Sequence, residues 1–315
     1  MREDSSLKKP LFSLCIPVLN ESENLGNLYG KLIDLSQRMS EKCDFEFIFT
    51  DNNSTDETWT KIGLLAKQDG RVKGFRFSKN IGFQNSILFN YSKSLGDVVA
   101  QIDADLQDPP ELLEVFFEEW EKGAQVVYGI RDVRPEPWVL RGFRKIGYAV
   151  IDKFANFPIP HNVGDFRLLD RKIINSMQNI KTPEPYIRGI VASLGVPAVG
   201  ISYERKARVK GKSKFGVISL IRLGLNALNN HTNLAFKFST FIGLFSLVLS
   251  LIGAVYYILM RIFKPDFPPG FASIYVLVLF GISINALILS VIGNYVKKIY
   301  TILNGEPEVL VVSSV

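Results

Sequence analysis

The sequence predicts an α/β domain built on a mostly parallel sheet, followed by a pair of membrane-spanning helices. Three observations carry that reading. Five short apolar runs alternate with segments of helical period between residues 12 and 129. Polar clusters stand at the ends of three of those runs, and two later stretches, about 236–260 and 271–296, are almost devoid of charge. At 315 residues the chain exceeds one average domain, so a globular unit with an appendage is the expected organisation.

Phe12 to Val18 is apolar and rich in β-branched residues and ends near Pro17 and Asn20, a buried strand. Glu21 to Met39 follows with Leu25, Leu28, Leu32 and Leu35 at helical spacing. Phe45 to Phe49 reads as the second strand and ends in the polar turn Asp51 to Asp56; a helix over Glu57 to Lys67 comes next. Val72 to Phe77 is a third strand, Phe83 to Ser94 a third helix, and Val98 to Ile102 a fourth strand running directly into Asp103. Pro109-Pro110 opens a helix at Glu111 to Lys122, and Gln125 to Gly129 is the next strand. Strands alternating with helices at this spacing make a parallel α/β sheet, and such sheets bind ligands beyond the carboxyl ends of their strands. Asn20-Glu21, Asp51 to Asp56 and Asp103 to Asp108 all fall there.

Phe238 to Met260 carries no charge over about 23 residues, roughly 34 Å as a helix, and Phe271 to Val296 repeats this over about 26. The short, three-proline connection Arg261 to Gly270 makes the two a hairpin. Lys237, Lys297 and Lys298, with the basic segment 205–214, place the hairpin's open end on the cytoplasmic side by the positive-inside rule. Two segments of amphipathic helical spacing, about 138–157 with interspersed basic residues and 215–231, are expected to lie in the headgroup layer, the alternative being that their apolar faces pack on the α/β domain. The expected organisation is a cytoplasmic catalytic domain over 1–232, the two spans within 233–300, and a cytoplasmic tail over 301–315.

Composition excludes several chemistries. Two cysteines, two histidines and no CxxC pair leave zinc without support. No strand is followed by GxGxxG or a P-loop, and the N-terminus lacks the apolar core of a signal peptide. A net charge of +6 permits nucleic acid or an anionic membrane as a partner. The basic residues gather beside the apolar stretches and no nucleic-acid-binding motif is present, which favours the membrane.

The strongest chemical signal is Asp103-Ala104-Asp105-Leu106-Gln107-Asp108 at the end of the fourth strand. Two carboxylates one residue apart can approach one hard cation through oxygen, with diphosphate oxygens and water completing its shell. Mg²⁺ or Mn²⁺ suits such a site.

With that motif the sequence resembles the family 2 glycosyltransferases of the dolichol-phosphate-mannose synthase and bactoprenol glucosyltransferase type. The matching stretches are Cys15 to Glu21, Thr50 to Thr55, Asp103 to Pro109, Gly129-Ile130-Arg131, Gly164 to Leu168 and Arg208 to Lys214, in the family's order. The resemblance implies a GT-A type nucleotide-sugar-binding fold and inverting transfer of one sugar, with glucose from a UDP-sugar favoured. The acceptor would be undecaprenyl or another polyprenyl phosphate at the inner face of a bacterial cytoplasmic membrane, and the protein a homo-oligomer. By motif, Pro17, Asn20 and Glu21 would line the nucleotide pocket and Asp51 would accept hydrogen bonds from base or ribose. Asp103, Asp105 and Gln107 would surround the metal and diphosphate. Arg131 and Arg208, with Arg167, Ser213 and Lys214, would hold phosphate, for which guanidinium's planar fork is suited. Asp165 would stand near the anomeric carbon, as base or as orienting group, and the expectation here is orientation of Arg167 or of the acceptor. The catalytic set is then Asp105, Asp165, Arg131 and Arg208.

The sequence departs from the family in one place. Asp51-Asn52-Asn53-Ser54 stands where Asp-Asp-Gly-Ser is common, so no role follows for position 52. Other readings fare worse. A processive synthase would carry Gln-x-x-Arg-Trp, and none of Trp59, Trp120 and Trp138 has that context. A catalytically silent nucleotide-sugar scaffold would be expected to have lost Asp103, Asp105, Arg131 and Arg208, and all four are present.

Overall fold

The computed structural model describes residues 9–131, 162–177, 185–205, 270–304 and 310–315, with scattered positions between 241 and 263. The chain divides into two compact units. One comprises Met1–Lys153, Phe157–Ala227 and Pro307–Val315, the other Phe154–Asn156 and Leu228–Glu306.

The first unit is an α/β domain. Its strands are β1 Leu11–Val18, β2 Asp44–Asp51, β3 Val72–Phe77, β4 Val98–Gln101, β5 Val126–Arg131, β6 Val163–Asp170, β7 Ala198–Tyr203 and β8 Val311–Ser314, in the sheet order β7-β5-β6-β4-β1-β2-β3-β8. Its helices are α1 Ser22–Arg38, α2 Thr58–Gln68, α3 Phe83–Lys93, α4 Leu112–Glu121, α5 Arg171–Met177 and α6 Ile187–Ser193. The first five strands and four helices stand where the periodicity predicts them. Pairings β1–β2, β1–β4, β2–β3 and β5–β7 are parallel, whereas β6 runs antiparallel between β4 and β5.

Central strands are covered on both faces, which is why they read as near-continuous apolar runs. Phe12, Leu14, Ile16 and Val18 of β1 join Leu25, Leu28, Leu32 and Leu35 of α1 and Phe116 and Phe117 of α4 in one core. On the opposite face Cys15, Ile48 and Val99 pack with Ile87 and Tyr91 of α3 and Ile173 and Ile174 of α5. The two cysteines are buried free thiols. Burial pushes the Cys15 thiol well above its ordinary range and that of Cys43 to about 12, so both are unreactive packing groups.

The expected C-terminal tail contains a strand. β8 pairs antiparallel with β3, and Gly74 and Val315 exchange both backbone hydrogen bonds at 2.8 and 3.0 Å. A Cβ at Gly74 would stand 2.6 Å from the Ile62 side chain and 2.8 Å from that of Val315, so the bare backbone is what admits both.

In the second unit, α7 Phe271–Asn304 covers the second apolar stretch with 34 residues. Ile274, Leu277, Val278, Ile282 and Leu289 are exposed along it. Among the described residues no helix is long and apolar enough to cross a membrane. Most of 236–260 lies outside them, so the hairpin stands as an expectation of the sequence. The segments 138–157 and 215–231, expected to be interfacial, also lie outside the described residues.

Candidate active site

The end of β4 concentrates carboxylates. Asp103 is partly buried and accepts a 2.9 Å hydrogen bond from Gln101 Nε2. Asp105 is buried, and its Oδ1 accepts from the Gln107 backbone N–H at 3.1 Å. Between them and Gln107 stands Leu106 at φ +57°, a left-handed conformation that a branched apolar residue rarely adopts and that clusters at functional sites. Burial first, then the neighbouring charges of Asp108 and Asp105, push the Asp103 carboxyl up to about 7. Negative charge is therefore crowded at this strand end, which is the chemistry of a site completed by a cation. Among the described residues no group of three or more Asp, Glu, His or Cys is gathered for a metal. The donor set that fits is two carboxylates, Asp103 and Asp105, with the remaining positions left to substrate phosphate and water, the usual arrangement for Mg²⁺.

Asp108, the last acid of the motif, is 0% exposed and serves as an anchor for cations. The Tyr203 hydroxyl donates to its Oδ1, Arg205 Nε reaches the same oxygen at 3.1 Å, and Arg131 Nη2 reaches Oδ2 at 3.3 Å. Arg131 Nε also donates to the Tyr203 hydroxyl at 3.2 Å. Tyr203 closes β7 and Arg131 closes β5, and those strands pair in parallel with the two residues in register. Gly164 completes the seat, because a Cβ there would collide with the Arg131 guanidinium. Gly164→Ala should consequently leave the melting temperature within a few degrees, since the far end of Arg131 can swing aside. It should lower kcat/KM by about tenfold or more, in line with the sensitivity of catalysis to a 1 Å misplacement. Thermal melts and steady-state kinetics on the same preparation check both halves.

A second buried carboxylate, Asp165 on β6, gathers its own partners. Arg167 Nη2 donates to its Oδ1 at 3.1 Å, Gln84 Nε2 to its Oδ2 at 3.1 Å, and Arg188 Nε stands 3.5 Å from Oδ1. Burial alone would raise this carboxyl, but Arg188, Arg167 and the Gln84 hydrogen bond outweigh it and hold Asp165 below the usual carboxylate range. An acid so firmly ionised and so thoroughly bonded is a poor proton acceptor. Arg167, only 3% exposed, spends its guanidinium on the Gly164 carbonyl at 2.9 Å and on Asp165.

Across the sheet, the ends of β1 and β2 form the other wall. Pro17 is buried in β1. Asn20, at φ +51°, accepts from Thr55 N–H at 2.7 Å, and its own N–H donates to Ser54 Oγ at 2.8 Å. The Glu21 carboxylate accepts from Asn24 Nδ2 at 2.6 Å. Asp51 is wholly buried, with Oδ1 accepting from Ser54 N–H at 2.9 Å and Oδ2 3.3 Å from Arg76 Nε. Asn52 fills the position where the sequence departs from the family it resembles. Its amide donates to Asn80 Oδ1 at 2.9 Å and accepts from Ile81 N–H at 2.8 Å, a pair of bonds that needs both a donor and an acceptor. An aspartate could supply only half of it.

Of the residues singled out from sequence, Asp103, Asp105, Gln107, Arg131, Asp165 and Arg167 cluster about β4, β5 and β6, while Pro17, Asn20, Glu21 and Asp51 close β1 and β2. Arg208, Ser213 and Lys214 lie outside the described residues. Sequence reasoning did not single out Asp108 as an anchor, nor Gln84, Arg188, Tyr203 and Arg205. Asp108 was visible as the third acid of the motif, and Arg205 as the first residue of a basic segment. Gln84 and Arg188 carried no local signal, because their partner is 81 residues away from one and 23 from the other.

Carboxylates and guanidiniums are gathered at the strand ends of an α/β sheet, the place where such sheets bind ligands. The chain belongs to glycosyl transferase family 2, whose model matches residues 13–177. It is 31% identical over 300 residues to the uncharacterized glycosyltransferase sll0501 of Synechocystis, covering 95% of this chain and 94% of that one. It is 29% identical over 304 residues to the bactoprenol glucosyl transferase of Shigella phage SfX, covering 96% and 98%. Among solved structures it is similar to the mannosyltransferase PcManGT of Pyrobaculum calidifontis in complex with GDP-Man and Mn²⁺. That likeness has a TM-score of 0.45 at 15% identity, over 67% of this chain and 60% of that one.

Proposed function

We propose that this glycosyltransferase moves one sugar, glucose, from UDP-glucose to a polyprenyl phosphate, with inversion, at the cytoplasmic face of a bacterial inner membrane. The observation that carries the reading is the division of the site about β4. On one side Asp51, Asp103 and Asp105 suit a nucleotide and its cation; on the other, arginines seated on Asp108 and Asp165 suit a second phosphate. The bactoprenol glucosyl transferases it resembles along nearly their whole length support the sugar and the lipid. The uncharged stretches at 236–260 and 271–296, the second within α7, would hold the enzyme against the bilayer that contains the acceptor's tail.

Asp51 would take the base or ribose, with Pro17, Asn20 and Glu21 shaping the pocket. Asp103 and Asp105, with Gln107, would hold Mg²⁺ or Mn²⁺, which when bound offsets the charge that a departing nucleoside diphosphate develops. Arg131, fixed by Asp108, Tyr203 and the space at Gly164, would orient phosphate, and Arg208, Ser213 and Lys214 would assist it. The acceptor needs placement more than deprotonation, since a phosphate monoester's second pKa is near 6 and its oxygen is largely anionic at neutral pH. Asp165 accordingly acts by orienting its arginines.

Membranes containing the full chain, incubated with labelled UDP-glucose, UDP-GlcNAc, UDP-galactose and GDP-mannose and with undecaprenyl phosphate, test this. A labelled polyprenyl-phosphate glucose of inverted anomeric configuration is the expected product. No glycolipid from any donor would overturn the reaction; a glycolipid from another donor would overturn the sugar alone.

A further inference from the structure

We infer that Arg188, on α6, holds the acceptor's phosphate, with Asp165 as its seat. The inference rests on the transfer reaction proposed above and assigns within it the residue that meets the second phosphate.

Two guanidiniums share Asp165, and they differ in how far they reach solvent. The Arg167 side chain is 4% exposed and is committed to the Gly164 carbonyl and to Asp165. The Arg188 side chain is 24% exposed while lying against the same carboxylate. It is also held in place: Nη1 donates to the Val163 carbonyl at 2.9 Å, and the guanidinium carbon lies 5.2 Å from the centre of the Tyr186 ring. A guanidinium fixed this way loses little rotamer freedom when an anion arrives.

The helix that carries Arg188 is pinned to the same acid by Gln84. Its carboxamide oxygen accepts from the Ile187 N–H at 3.0 Å while its nitrogen donates to Asp165 at 3.1 Å. Asp165, Arg167 and Arg188 together carry one negative and two positive charges, so the trio is net positive, and Arg131 adds to the field at Asp165. This is an anion site with a buried foundation. Its place identifies which anion. β6 lies on the far side of β4 from β1 and β2, where the nucleotide would bind, so Arg188 is on the acceptor's side of the sheet.

Arg188→Gln in the full-length chain, reconstituted in lipid nanodiscs, tests the assignment with farnesyl phosphate and undecaprenyl phosphate as acceptors. The acceptor KM should rise at least tenfold while UDP binding, read by calorimetry, stays within twofold. Inorganic phosphate should inhibit the wild type competitively against acceptor and the variant much less. An unchanged acceptor KM, or a loss confined to UDP binding, overturns the inference. Should Arg188→Gln fail to fold, Arg188→Lys decides, because it keeps the charge and loses the fork. A raised acceptor KM then supports the assignment and a wild-type value overturns it. A wild type that glycosylates no polyprenyl phosphate would instead sink the proposed reaction, an outcome the variants do not mimic.

Discussion

Replacing Asp103 and Asp105 together by alanine should lower transfer at least about 10³-fold, on the scale at which removing preorganised charge stabilisation slows other enzymes. The fold should survive unharmed, and this separates a functional from a structural role. Asp103 is pushed up to about 7 by burial and by the charges of Asp108 and Asp105, so without a cation its ionised form is disfavoured in the native state. Its folded pKa is then above the unfolded value of about 3.9, the native state binds the proton more tightly, and metal-free stability falls as pH rises between those two values. Removing both carboxylates should abolish that slope and leave the melting temperature at pH 7.5 unchanged or raised. In the wild type, Mg²⁺ or Mn²⁺ should reverse the same loss of stability, and a chelator should stop catalysis. Full activity in the double variant, or a protein that unfolds for want of these two acids, would contradict the assignment.

The second large effect is expected at Asp165. Asp165→Asn should reduce kcat/KM by two orders of magnitude or more, and the loss should persist at every pH from 6 to 9. A base whose task is proton removal is relieved of it as pH rises, so recovery at high pH would mark a general base. Orientation of Arg167 and Arg188 has no such remedy. The substitution also removes the charge opposite Arg167, which is 3% exposed, and breaking a buried pair of this kind costs about 3–5 kcal/mol when one partner is truncated outright. Asparagine keeps one acceptor oxygen, so a smaller loss is expected and Asp165→Ala should be the less stable of the two. The pH dependence has a definite sign. A carboxyl held below its unfolded value contributes stability that is complete above about pH 4 and disappears as pH falls through the lowered folded pKa. Acid denaturation of the wild type and the Asn variant should therefore diverge above pH 4 and converge in strong acid.

The two acids were legible from sequence to different degrees. Asp103 and Asp105 follow an apolar run with a strand's length and composition, and the pattern that makes β4 also puts them at its carboxyl end. Asp165 stood out by its family motif alone, for nothing in Gly164 to Leu168 announces that the strand runs antiparallel between β4 and β5. Asn52 shows the same contrast. Its identity departs from a familiar motif, and only its bonds to Asn80 and Ile81 explain why an amide serves there.

By itself the sequence determined the alternation of strands and helices from 11 to 131, the position of the paired acids, and the two uncharged stretches. All of these are written in local periodicity, and local patterns bind neighbouring residues to one conformation at little entropic cost. Tertiary structure alone decided which distant partners meet. Asp108 finds Tyr203 across 95 residues and Asp165 finds Gln84 across 81, and β8 returns from the end of the chain to the edge of β3. Such pairings depend on burying both partners together, where a polar or charged group left without a hydrogen-bond partner would be costly. No spacing along the chain records that condition.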